Sequence, residues 1–78
     1  MARIIDSDKK NLIGGNLKRL RVELKVSQQE LSNKLELLGV YICRGSVSRI
    51  EDYSRTVTDI ELFAIADVLG VDIKELYK

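Results

Sequence analysis

Apolar residues in this chain recur every three or four positions and rarely alternate. Ile13, Leu17, Leu20 and Leu24 fall on one helical stripe. Leu31, Leu35 and Leu38 form a second stripe, and Val47 with Ile50 a short third. Leu62, Ile65, Ala66 and Leu69 form a fourth, and Ile73 with Leu76 suits a short fifth helix. The pattern predicts five helices and no strand, an all-α class. Residues 1–10, MARIIDSDKK, lack sustained periodicity and read as a flexible N-terminal arm, leaving 11–78 as one domain.

Polar residues at the boundaries support these segments. Ser27 followed three positions later by Glu30 is a capping box, in which each side chain satisfies a backbone N–H that the helix leaves unpaired. Thr58 with Glu61 repeats the device before the fourth helix, and Asp72 with Glu75 before the fifth. Gly39 and Gly70 are placed as stops for the second and fourth helices.

The third helix, about 44–52, is polar except along one edge. At about 100° per residue, Val47 and Ile50 share the core side. Glu51 lies beside that seam, and Gly45, Ser48, Arg49 and Asp52 lie opposite, with Arg44 at the margin of their arc. A short helix carrying small and hydrogen-bonding residues with two cationic forks can approach a surface rich in donors and acceptors. The DNA major groove is such a surface.

Composition narrows the function classes. The 78 residues contain no histidine and one cysteine, which removes the usual zinc sites and the Ser-His and Cys-His nucleophile systems. The carboxylates fall on helix starts and solvent faces with no isolated pair among them, so neither an enzyme nor a metal or other cofactor is expected. Cys43 stands alone and can form no intrachain disulfide, and no apolar run approaches the roughly 18 residues needed to cross a bilayer. Both features point to the cytoplasm and away from the membrane.

Net charge is only +1, but it is unevenly distributed. Residues 1–25 hold seven basic and three acidic side chains, residues 26–55 four of each, and residues 56–78 two basic against five acidic. The front of the chain can meet phosphate while the back stays in solvent. Arg3, Lys9 and Lys10 in the arm either reach a minor groove or belong to a frayed tail.

Three segments taken in order resemble a known family. Asn16-Leu17-Lys18-Arg19-Leu20-Arg21, Ser27-Gln28-Gln29-Glu30-Leu31 and Ser46-Val47-Ser48-Arg49-Ile50-Glu51 look like the phage repressor and Cro/C1-type (XRE-like) helix-turn-helix domain. Leu62 to Val71 is similar to that family's fourth helix and its exit, so the resemblance spans residues 12–77. It implies a five-helix, lambda-repressor-like bundle, dimeric on DNA, whose third helix enters the major groove. By position, it implies base contacts from Arg44, Gly45, Ser46, Ser48 and Arg49, and phosphate contacts from Ser27, Gln28, Arg55 and Thr56. It also implies a structural ion pair between Arg21 and Glu51.

The chain departs from the family pattern in three places. The segment from Leu35 to Val47 is longer, and Glu36 to Val40 are expected to extend the second helix and enlarge the turn, with Ile42 taking the buried place after it. Asp52-Tyr53 stands where Asn-Gly is usual, which costs about 1 kcal/mol if the tyrosine adopts positive φ. Ser32 stands where alanine is common, and both are small.

The expected function is a sequence-specific double-stranded DNA-binding transcriptional repressor. It would read a pseudo-palindromic operator as a homodimer, with Ile73, Leu76 and Tyr77 contributing to the dimer contact. One alternative is an antitoxin, whose further partner would be a toxin protein. Another is a protein-interaction module that has lost DNA binding.

Overall fold

A computed structural model describes residues 8–78. Among them lie four α-helices, α1 (Gly14–Glu23), α2 (Gln28–Leu37), α3 (Arg44–Glu51) and α4 (Asp59–Leu69). The fifth segment, Ile73–Tyr77, is a single 3-10 helix. Its brevity explains the geometry: Asp72 accepts from the Lys74 N–H two residues on, closing a tight turn with too few residues for an α-helical ladder. No strand occurs among the described residues.

Two of the three expected capping boxes form; at the third, the Asp72 side chain accepts from the Lys74 N–H and not from that of Glu75. Ser27 Oγ accepts from the Glu30 N–H at 3.0 Å while Glu30 accepts from the Ser27 N–H at 3.1 Å. Thr58 and Glu61 do the same at 3.2 and 3.0 Å. Gly70 closes α4 at φ +67°, and Gly39 turns the chain after α2 at φ +81°, both left-handed conformations that glycine adopts without a Cβ penalty.

The core is built from Ile13, Leu17, Leu20, Leu31, Leu35, Ile42, Val47, Ile50, Ala64, Ile65, Ala66, Leu69 and Leu76. Each fully buried leucine or isoleucine contributes about 1.5–3 kcal/mol. Two expected core members are instead half exposed. Leu24 and Leu38 are the residues at which α1 and α2 end, and the turns after them swing their side chains outward. Ile42 is buried as expected. Leu76, expected at the dimer contact, cannot serve there because it is fully buried within its own chain. The extra residues divide, with Glu36 and Leu37 in α2 and Leu38 to Val40 in the turn.

The α1 and α3 helices approach closely because residue 14 is glycine. A Cβ there would collide with the Ile50 carbonyl. Asn11 adds polar stitching: its Oδ1 accepts from Ile13 and Gly14 N–H, while its Nδ2 donates to the Ile50 and Arg55 carbonyls at 3.0 and 2.8 Å. One amide thereby joins the start of α1 to the end of α3 and to the loop beyond it.

Candidate nucleic-acid interface

Cys43 precedes α3 in extended conformation, and Arg44 is its first helical residue. Val47 and Ile50 are buried on one side, while Arg44, Gly45, Ser48 and Arg49 are exposed on the other. Ser46 is partly exposed and sits between them, its Oγ accepting from Arg49 Nη2 at 3.1 Å. No polar contact holds Arg44 among the described residues. The α3 face is therefore an open polar strip, with one arginine unrestrained and the other loosely folded along its own helix.

At the end of α3 a buried network fixes the helix in place. Arg21 Nε donates to Glu51 Oε2 at 2.7 Å and Nη2 to Oε1 at 3.1 Å, a bidentate pair with little exposure at either side chain. Arg21 Nη1 donates to the Val26 carbonyl at 2.9 Å, and Gln28 Nε2 to Glu51 Oε1 at 3.1 Å. The α1 helix, the α1–α2 turn, the start of α2 and the end of α3 all converge on one ion pair, Arg21–Glu51. The expected Arg21–Glu51 pair is present, and Gln28, expected as a phosphate anchor, has spent one of its two amide hydrogens on it.

Arg55 is also committed. Its guanidinium spans both oxygens of Glu61 at 3.0 and 2.9 Å and donates to the Thr56 carbonyl at 2.9 Å. Hydrogen bonding to Arg55 is the leading reason that the Glu61 carboxyl is held below its ordinary pKa. The same carboxylate caps α4, so Arg55 braces the α3–α4 loop against that helix. Thr56 and Ser27 are exposed on their loops.

Four positioning features had weak sequence signals or none. Tyr53 adopts φ +68°, the strained conformation expected if the chain keeps the path that glycine usually takes. Its hydroxyl accepts from the Gly15 N–H at 2.9 Å and its carbonyl from the Lys10 N–H at 2.8 Å. Of the basic arm residues, Arg3 lies outside the described residues, whereas Lys9 Nζ stands 4.5 Å from the centre of the Tyr53 ring. Ser32 Oγ donates to the Ile42 carbonyl at 2.6 Å, tying the enlarged turn to α2, a bond that alanine could not make. Asn11 offered only its place before the first helix, and Gly14 gave no hint of the carbonyl it meets.

Cys43 is exposed, with its sulfur 3.4 Å from Ser46 Oγ. The Ser46 side chain is the main cause of a lowered thiol pKa, followed by the Ser46 backbone, with Gly45 N–H and the Arg49 charge adding smaller effects. The cation that contributes is Arg49, six residues along, rather than the adjacent Arg44.

No helix among the described residues is long and apolar enough to cross a membrane. None of the curated proteins matches the sequence, but solved structures and a family model do. The restriction-modification controller protein C.AhdI from Aeromonas hydrophila is 26% identical, with a TM-score of 0.72 over 82% of this chain and 86% of that one. The DNA-binding domain of BldD is 25% identical, with a TM-score of 0.72 over 92% of this chain and 97% of that domain. A hypothetical transcription factor, NHTF from Neisseria, is 25% identical with a TM-score of 0.74 over 100% of this chain and 85% of that one. The helix-turn-helix family model matches residues 17–76, from the first buried leucine of α1 to the 3-10 helix. With its helices, its turn and its ion-paired third helix in that order, the chain belongs to the helix-turn-helix family.

Proposed function

We propose that this protein is a DNA-binding transcriptional repressor that reads double-stranded operator DNA with α3 in the major groove. The observation that carries the reading is the division of α3 into a buried edge, locked by Glu51, and an open edge bearing Arg44, Gly45, Ser48 and Arg49. Arg44 and Arg49 fork onto base edges, guanine O6 and N7 being the commonest target. Ser46 and Ser48 contact bases or adjoining phosphates. Gly45 leaves room there, since a Cβ at that position would meet only the Arg49 side chain.

Phosphate is held by Ser27, by Gln28 with its remaining amide hydrogen and the N-terminus of α2, and by Thr56. Arg55 reaches phosphate with the N–H groups that Glu61 leaves unused. A homodimer places two α3 helices on half-sites about one helical turn, roughly 34 Å, apart. Action on DNA puts the protein in the cytoplasm.

Fluorescence anisotropy with DNA from upstream of the protein's own coding sequence, against a scrambled duplex at two salt concentrations, tests the reading. The upstream duplex should bind more tightly, and both affinities should fall steeply with salt as counterions are released. Equal binding to both duplexes would remove sequence-specific reading, and no binding to either would remove DNA as the partner.

A further inference from the structure

The enlarged turn before α3 divides its side chains between two faces of the molecule. Leu38 and Val40 line a groove with Ile60, Phe63, Ala64 and Asp67 on the α4 side. From there burial alternates: Val40 is half-buried, Tyr41 exposed, Ile42 buried and Cys43 exposed. That two-residue period, with Cys43 in extended conformation, puts Tyr41 and Cys43 on one outer face that leads into α3. Tyr41 is 77% exposed, and no polar contact holds its hydroxyl among the described residues.

Tyr41 forms one wall of a groove of about 330 Å³, with Ser32 and Glu36 of α2, Ile42, Cys43 and Ser46 of α3 as the others. Ser46 is the residue that Arg49 Nη2 reaches along the open strip. The groove therefore continues that strip past the N-terminal end of α3. Three residues of chain carry Tyr41 at most about 10 Å from Arg44. Base pairs rise by roughly 3.4 Å each, so the ring falls within about three steps of the bases that Arg44 addresses.

Charge decides which part of the DNA meets the ring. No cation lines the groove among the described residues, and the Glu36 carboxylate beside Tyr41 disfavours a phosphate there. An aromatic face in such surroundings suits the apolar feature of the major groove, the C5-methyl group of thymine.

We infer that Tyr41 is a further specificity-determining residue, whose ring packs on a thymine methyl beyond the bases read by Arg44. This contact rests on the DNA reading proposed above, and adds base recognition from outside α3 at a place that the longer turn supplies.

Replacing each thymine of the upstream duplex in turn by deoxyuridine removes one methyl group and leaves pairing intact. Fluorescence anisotropy with the full chain should find a thymine whose replacement weakens binding by about fourfold, the effect of one buried methyl. Tyr41→Ser should weaken binding to the unmodified duplex by a similar factor and be indifferent to that same replacement. Tyr41→Phe, which keeps the ring, should bind and discriminate as the wild type does. The dependence of affinity on salt should be the same in all three proteins, because no phosphate contact changes. Leu37→Ser, at a more exposed position outside the groove, should leave binding unchanged. Circular dichroism melting separates lost binding from lost folding. A wild type that prefers the upstream duplex but ignores every replacement would overturn the methyl contact and leave the α3 reading intact. So would a Tyr41→Ser protein that keeps full affinity or all of the wild type's thymine responses. Equal losses in Tyr41→Phe and Tyr41→Ser would assign the effect to the hydroxyl and overturn the methyl contact. A wild type without preference for the upstream duplex would overturn the DNA reading together with it.

Discussion

Four arginines lie along or beside α3, and they divide into two kinds. Arg21 and Arg55 each grip a carboxylate with two nitrogens, the first buried and the second partly buried. Among the described residues, Arg44 and Arg49 meet no carboxylate, and both project from the exposed strip. All four side chains are chemically identical, so what separates scaffold from reader is the partner. A guanidinium locked to Glu51 or Glu61 fixes backbone geometry. One without a carboxylate keeps its fork available for a base edge or a phosphate.

The sharpest way to break this contrast is at its most buried partner. Glu51→Ala leaves Arg21 charged and unpaired against the core and removes the acceptor for Gln28. It should cost about 3–5 kcal/mol of folding stability, read by urea denaturation. A loss of only a few tenths would mean that Arg21 finds water and that the network is ornamental.

The exposed pair should behave in the opposite manner. Arg44→Ala and Arg49→Ala should leave the unfolding midpoint nearly unchanged, while each costs about 1–3 kcal/mol of binding to the preferred duplex and narrows its advantage over scrambled DNA. If folding is intact and binding is unaltered, these two are not readers.

The Arg55–Glu61 pair should have the smallest effect, about 1 kcal/mol, because it is partly solvated. Its sign with pH is fixed. The folded Glu61 carboxyl sits below its ordinary value of 4.5, so the contribution is complete above that value and is lost as pH falls through the lower, folded one. Acid unfolding of Glu61→Gln should therefore lack the part of the pH dependence that the wild type shows below pH 4.5.

The sequence revealed these parts unequally, for physical reasons. Helices with a buried stripe and a capping box were legible because period and caps are local properties. Glu51 could be assigned to the scaffold because helical angle alone put it beside Val47 and Ile50. Leu24 and Leu38 misled because period says nothing about where a helix ends. The Arg55–Glu61 pair was not legible, because six residues across a loop end is no helical spacing that announces a contact. Asn11 and Tyr53 were illegible as positioning residues because their partners lie about forty residues away in sequence.

Tyr53 shows how the scaffold supports the open strip. A left-handed tyrosine costs about 1 kcal/mol, and here it brings a hydroxyl to the start of α1 and a carbonyl to Lys10. Together with Asn11 and the Glu51 network, it anchors the C-terminal end of α3 and the loop beyond it. The exposed edge of that helix is thereby held from behind, with Arg44 and Arg49 on its outer side.

The most direct test of which face meets DNA is an NMR titration of the isotope-labelled protein with its own upstream duplex, followed through backbone amides. The account predicts that the largest shifts fall on residues 27–29 and 44–49, with residues 60–67 on the outer part of α4 little changed beyond effects of dimer formation. Shifts concentrated on α4 with α3 silent would contradict it.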